Sequence, residues 1–158
     1  MRYLTRELIR AEEFISPSPH PSPLRGEGRE RGGFSSGASV LFLGTVRNHS
    51  EGRGVFYLEY EAYEAMAERM ITEVVKSAFE KWSLENIQLL HRLGCIGLGE
   101  IAVAIAVESS HRDEAYAASR YLIEGIKHKV PIWKKEYFAD GTSEWSRCQS
   151  DVELSRSV

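Results

Sequence analysis

From residue 38 onward the chain switches between two hydrophobic periods. "ASVLFLGTV" is a continuous apolar run that reads as a buried strand ending at Arg47, and "VFYLEYEAY" reads as a second strand, rich in aromatic residues. Between them "RNHSEGRG" is polar and glycine-bearing, a loop. From about Tyr63 to Trp82 the period changes, with Met66, Met70, Val74 and Ala78 recurring every four residues, which predicts a helix with that stripe in the core. "IQLLHRLG" reads as a strand that leaves through His91 and Arg92 into a glycine turn, "CIGLGE". "IAVAIAVES" then alternates, with Ile101, Val103, Ile105 and Val107 on one face and Ala102, Ala104 and Ala106 on the other. Both faces are apolar, so both need cover, the alanine face closely, by a helix or by another subunit. A second long helix is predicted from about His111 to Lys129, ended by Pro131. "IWKKEYF" returns as a strand before an Asp140-Gly141 turn and a polar tail.

The first 37 residues follow other rules. Residues 1–15 predict a short strand or turn and then a helical piece around Glu7 to Ile15. Residues 16–37, "SPSPHPSPLRGEGRERGGFSSG", hold four of the chain's five prolines at alternating positions. Alternating proline can neither donate to a sheet ladder nor continue a helix, so this stretch is expected to be extended and solvated, or disordered. It reads as an inserted loop or as a polyproline ligand for a partner. The expected organisation is one domain made of residues 1–15 and the dense core at 38–145, with a polar tail at 146–158. The order β, β, α, β, β, α, β with hairpin-sized links predicts an α+β fold with a mainly antiparallel sheet and two main helices.

Composition narrows the function classes. The chain has 158 residues, enough for one domain with a core, and a formal net charge of -3, which argues against bulk nucleic-acid binding. No apolar run approaches the ~18 residues of a membrane span, and the charged N-terminus lacks a signal-peptide core, so a cytoplasmic protein away from membranes is expected. Cys95 and Cys148 are too few for a disulfide framework or a zinc site. The sequence shows no nucleophile elbow, Walker loop or metal-spaced cluster, so neither metal nor cofactor is expected.

Local charge matters more than the total. "KHKVPIWKKE", residues 127–136, holds four of the six lysines around an apolar Pro131-Ile132-Trp133. Lys127 and Lys129 have an ordinary explanation at a helix C-terminus, where a cation complements the dipole. Lys134 and Lys135 do not. Strand alternation sends Lys134 and Glu136 to one face and Lys135 to the other. A lysine against apolar walls loses hydration, so it becomes able to act as acid, base or nucleophile. In "SSHRDE", Ser110 suits an N-cap and Asp113 resembles a capping box, which puts His111 and Arg112 in a first turn that favours an anion. The alternative is a solvated first turn. Arg47 ends a strand beside a glycine-bearing loop, either a surface arginine or a ligand for phosphate or carboxylate. Cys95 is expected to be structural, since nothing basic is fixed near it in sequence.

"FLGTVRNHSEGRGVFYLEYEAYEAMAE", "HRLGCIGLGE", "VESSHRDEAYAAS" and "IKHKVPIWKKEYFADGTSEW" together resemble, in family order, the large catalytic subunit of molybdopterin synthase. The combination of GTVR, SSHR and K-x3-P-I-W-K-K-E carries the resemblance. It implies an α/β-hammerhead type of fold and a homodimer with a small ubiquitin-like sulfur carrier ending in Gly-Gly at each end, a heterotetramer. It also implies sulfur transfer from the carrier's C-terminal thiocarboxylate to cyclic pyranopterin monophosphate, giving the dithiolene of molybdopterin. The family's substrate positions fall on Thr45, Val46, Arg47, His111, Arg112, Lys127, Lys134, Lys135 and Glu136, with Lys134 expected to carry the chemical step and Lys127 to assist. Both reactants are anionic, which accounts for the lysines. A continuous helix from His111 to Lys127 would span ~24 Å, so His111 and Arg112 of one subunit are expected to complete a pocket on the other. Residues 16–37 depart from the family pattern. The competing reading is a non-catalytic anion-binding or scaffold protein using the same basic pocket; an RNA-binding module is disfavoured by net charge and by the lack of an aromatic-basic sheet face.

Overall fold

The alternating strand over Ile101–Ser109 runs through the middle of a four-stranded sheet, and both its faces are covered. The computed structural model describes residues 2–15 and 36–146. In chain order the elements are β1 (Leu4–Thr5), α1 (Glu12–Ile15), β2 (Ala38–Thr45), β3 (His49–Ser50), β4 (Arg53–Ala62), α2 (Glu64–Lys81), β5 (Leu84–Arg92), β6 (Gly94–Gly97), β7 (Ile101–Ser109), α3 (Arg112–Lys129), β8 (Ile132–Phe138) and β9 (Ser143–Ser146). The first sheet has the order β1-β5-β7-β2; the second has β3-β4-β8-β9, with β6 also paired to β4. Every pairing is antiparallel except β1 with β5. This is the expected α+β architecture with two long helices.

The branched face of β7 carries the main core. Val103, Ile105 and Val107 pack with Ile71 and Val74 of α2 and with Ala118, Leu122 and Ile126 of α3. Ile71, Ile105 and Leu122 are fully buried, each contributing roughly 1.5–3 kcal/mol relative to exposure. The helices approach closely at Gly125, where an added Cβ would lie 2.8 Å from Cγ1 of Val74. The α2 stripe is shifted from the expected one. Ala67, Ile71, Val74, Val75 and Ala78 are buried, Met70 is half-buried and Met66 is exposed.

The alanine face is covered from within the chain. Ile9 and Phe14 lie against Ala104 and Ala106, with half-buried Leu41, Leu43 and Leu90 around them. Of the two covers open to the sequence, the structure uses the short N-terminal helix, so the small residues of β7 do not by themselves call for a second subunit. That helix is limited to Glu12–Ile15, shorter than expected, because the Glu7 N–H turns back to the Thr5 hydroxyl at 3.1 Å.

Three other elements correct the sequence reading. "CIGLGE" is not only a turn: Gly94–Gly97 is strand β6, because Ile96 is buried under the second sheet and its backbone pairs with Leu58. The polar segment after Gly141 begins with β9, which pairs with β8. Helix α3 starts one residue later than expected. Its N-cap is His111, whose side chain makes no cap hydrogen bond, and the Ser109 hydroxyl lies 3.4 Å from the His111 N–H and 2.9 Å from Glu114. Expectations for residues 16–35 and 147–158, Cys148 among them, lie outside the described residues. No helix of the described residues is long and apolar enough to cross a membrane.

Candidate functional site

The GTVR stretch leaves the first sheet through an irregularity. The β2–β7 register shifts between Gly44 and Thr45, and such bulges re-aim the residues that follow. Gly44 is required there, because a Cβ would stand 2.6 Å from Cγ1 of Val103. Val46 is then buried, its N–H bonded to the Glu100 carbonyl at 3.1 Å and its carbonyl accepting from Gly99 at 2.9 Å. Thr45 and Arg47 on either side are exposed. The chain next forms a tight hairpin at Ser50-Glu51-Gly52-Arg53. Glu51 (φ 49°) and Gly52 (φ 80°) both have positive φ, as a type I′ turn demands.

Strand β4 carries that hairpin to β8, where Leu58 pairs with Glu136 and Tyr60 with Lys134. Lys134 and Glu136 share one face, as alternation predicts, and their Nζ and Oε1 atoms are 2.8 Å apart. Glu136 is 7% exposed. Burial alone would raise its carboxyl, but hydrogen bonds from Lys134 and Ser50 and the positive charges of Lys134 and Arg47 outweigh burial and hold it below the usual glutamate range. Lys134 and Glu136 are thus an ion pair on β8, and the charge of Arg47, just beyond β2, acts on the same carboxylate. The expectation that Lys134 lies against apolar walls is corrected. Its side chain is one-third exposed and ion-paired, because the same alternation that aims Lys134 inward also aims Glu136 there.

Other candidates are placed elsewhere. Lys135 points to the opposite face, over the rings of Tyr137 at 5.1 Å and Trp145 at 5.5 Å. On that face the Tyr137 hydroxyl donates to Glu59 at 2.7 Å, which pushes the phenol up to about 12. Cys95, expected to be structural, is exposed on β6 opposite Glu59. His111 and Arg112 are exposed at the start of α3, next to the end of β7 where Ser109 pairs with Ala38. Thr45 pairs with Ile101 at the other end of β7, about 26 Å away along the strand. Helix α3 turns back across the sheet from the short Ser109–Arg112 link, carrying exposed Lys127 to its last turn, just before β8. One chain thus gathers Arg47, Lys134 and Glu136, brings Lys127 toward the same end, and leaves His111 and Arg112 apart. Among the described residues no group of His, Cys, Asp and Glu is arranged to hold a metal ion.

Residues 27–129 match the family model described as MoaE protein. The chain belongs to the MoaE family. Among MoaE relatives, the molybdopterin synthase catalytic subunit of Bacillus subtilis (strain 168) is 47% identical over 110 residues, 70% of this chain and 69% of that protein. The protein of the same name from Rattus norvegicus is 46% identical over 111 residues, and the match spans only 56% of its length. The crystal structure of molybdopterin synthase from Staphylococcus aureus aligns with a TM-score of 0.75 at 36% identity, covering 92% of this chain and 96% of that one. The stretch GTVR, which supplies Arg47, lies within the residues the family model matches, and PIWKKE, which supplies Lys134 and Glu136, follows just after them. Reading by residue type overlooked Ser50, whose only sequence signal is its place before Glu51-Gly52 at the mouth of a two-residue hairpin.

Proposed function

We propose that this chain is the catalytic subunit of a molybdopterin synthase. It would move sulfur from the C-terminal thiocarboxylate of a small ubiquitin-like carrier ending in Gly-Gly to cyclic pyranopterin monophosphate, forming the dithiolene. The observation that carries the reading is the Lys134–Glu136 ion pair on β8, with the charge of Arg47 acting on the same carboxylate. Arg47 offers a planar fork for phosphate or carboxylate. Lys134 offers a mobile cation and proton donor, and Lys127 a second cation for the substrate. The resemblance adds Thr45, Val46, His111, Arg112, Lys135 and Glu136 as substrate positions, of which Lys135 faces away from Lys134 across β8.

The distance along α3 supports a homodimer in which His111 and Arg112 of one copy reach the Lys127–Lys134 end of the other. With one carrier on each copy, the assembly is a heterotetramer. The carrier's tail must be extended to deliver its sulfur, at most ~3.5 Å per residue, so several residues enter the site. Incubation with thiocarboxylated carrier and the cyclic pterin should yield dithiolene. A carrier lacking its last two glycines should still dock weakly and deliver no sulfur. Binding of the pterin without any conversion would instead favour a non-catalytic anion-binding protein.

A further inference from the structure

Arg47 is an exposed side chain on a backbone that is fastened on both sides. Before it, the Val46 N–H donates to the Glu100 carbonyl at 3.1 Å, and the Gly99 N–H donates to the Val46 carbonyl at 2.9 Å. After it, the Asn48 carbonyl accepts from the Val55 N–H at 2.9 Å. The first of these clamps is the turn at residues 97–100, between β6 and β7. Glycine at two of its four positions gives that turn little stiffness of its own. One carboxylate oxygen supplies the stiffness. Glu100 Oε2 accepts from the Gly97 N–H at 2.9 Å and from Arg92 Nη1 at 2.8 Å, which adds a charged closure to the backbone bond from Glu100 N–H to the Gly97 carbonyl. Arg92 comes from the end of β5 with its side chain 14% exposed, and its Nε is buried with no partner among the described residues. The bond to Glu100 therefore offsets the burial of that charge and ties the turn to the first sheet.

We propose that Glu100, held by Arg92, is a positioning residue for Arg47; the role rests on the reading above and assigns Arg47 to the pterin phosphate. The carboxylate fixes the turn, the turn fixes both backbone groups of Val46, and Val46 sets where the Arg47 side chain starts. A planar guanidinium meets phosphate through two parallel hydrogen bonds, so its direction of approach matters as much as its charge. A loosened root weakens that contact without removing the ligand itself. The Glu100 carboxylate is occupied by Gly97 and Arg92, so its effect on the substrate passes through Arg47.

The test is a double-mutant cycle on the full chain, read as equilibrium binding of cyclic pyranopterin monophosphate by calorimetry. Arg47→Ala should weaken binding by about tenfold or more, the scale of a lost hydrogen bond to a charged group. Glu100→Ala should weaken it by about fivefold in the parent, and by less than about twofold once Arg47 is already alanine. Glu100→Gln keeps an oxygen able to accept both bonds, so it should bind within about twofold of the parent. Hydrogen exchange reads the clamp without any ligand. Glu100→Ala should speed exchange at the Val46 and Gly99 amides by at least about tenfold, while Glu100→Gln leaves them protected. Should Glu100→Ala fail to fold around an unpaired guanidinium, the variant that combines it with Arg92→Met removes both charges and takes its place. Equal losses in the two backgrounds, unchanged exchange, or no rescue by Glu100→Gln overturns the role, as does full pterin binding by Arg47→Ala. A parent that binds no pterin overturns it together with the sulfur-transfer reading. A parent that binds the pterin but converts none with thiocarboxylated carrier sinks sulfur transfer alone, and the cycle still judges Glu100.

Discussion

Arg112 opens α3 and Lys127 stands in its last turn, so one rigid helix separates them by about 22 Å. No pair of side chains on a single chain spans that distance around one small pterin. Complementation between subunits should follow. Arg112→Ala and Lys134→Ala, each inactive alone, should recover up to about a quarter of parental activity when mixed to full exchange, since half the dimers are mixed and each holds one intact site. Dithiolene assays on the mixture, with exchange verified by mass spectrometry, check this. Continued inactivity despite exchange would place the whole site within one chain.

Lys134→Ala should lower conversion by at least about a hundredfold, the scale of a missing proton-transfer group. Stability should fall too, because Glu136 is buried and loses its nearest countercharge; screening at the one-third exposed lysine keeps the loss to about 1–3 kcal/mol. Circular dichroism melts beside single-turnover assays separate the two effects. A variant that turns over at the parental rate would remove Lys134 from the chemistry.

His91 predicts how stability depends on acid. Its ring is buried, with Nδ1 3.0 Å from the Arg92 carbonyl and an edge-to-face contact with Tyr60 at 5.0 Å. Burial is the dominant cause and lowers its pKa to about 4, against which the Arg92 carbonyl pulls weakly upward. The unfolded chain, with a histidine near 6.5, therefore binds more protons between those two values. Stability from this group is full above pH 6.5 and is lost as pH falls toward 4, by about 3 kcal/mol. Urea unfolding at pH 7.0 and pH 4.5 should show that slope, and His91→Gln should flatten it. An equally steep slope in the variant would assign the acid sensitivity to other groups.

Gly125→Ala tests the α2–α3 contact. In an open helix the change would stabilise by about 1 kcal/mol. Here the new Cβ would lie 2.8 Å from Cγ1 of Val74, a β-branched side chain with little rotamer freedom. Overpacking costs of about 1–3 kcal/mol should prevail, lowering the melting temperature by several degrees with activity per folded molecule unchanged. A higher melting temperature would show that the helices slide apart freely.

Much of this molecule could be read from periodicity alone, because local chemistry determines it. The alternation of "IAVAIAVES" marked β7 as covered on both faces, the four-residue recurrence marked α2, and period two in "IWKKEYF" separated Lys134 and Glu136 from Lys135. Charge and motif pointed to Arg47 and the lysines. Tertiary structure decided what those signals leave open. Whether helix or subunit covers the alanine face depends on where Ile9 and Phe14 come to rest, residues remote from β7 in sequence. A glycine-rich "GCIG" became a strand only because β4 offered it an edge. The setting of Lys134 turned from apolar to ionic because its partner is the next residue on the same face, and because Arg47 and Ser50 arrive from another sheet edge and another hairpin. Pattern fixes which way a side chain faces within its own element. What it meets there is set by packing between elements, which no local window of sequence contains.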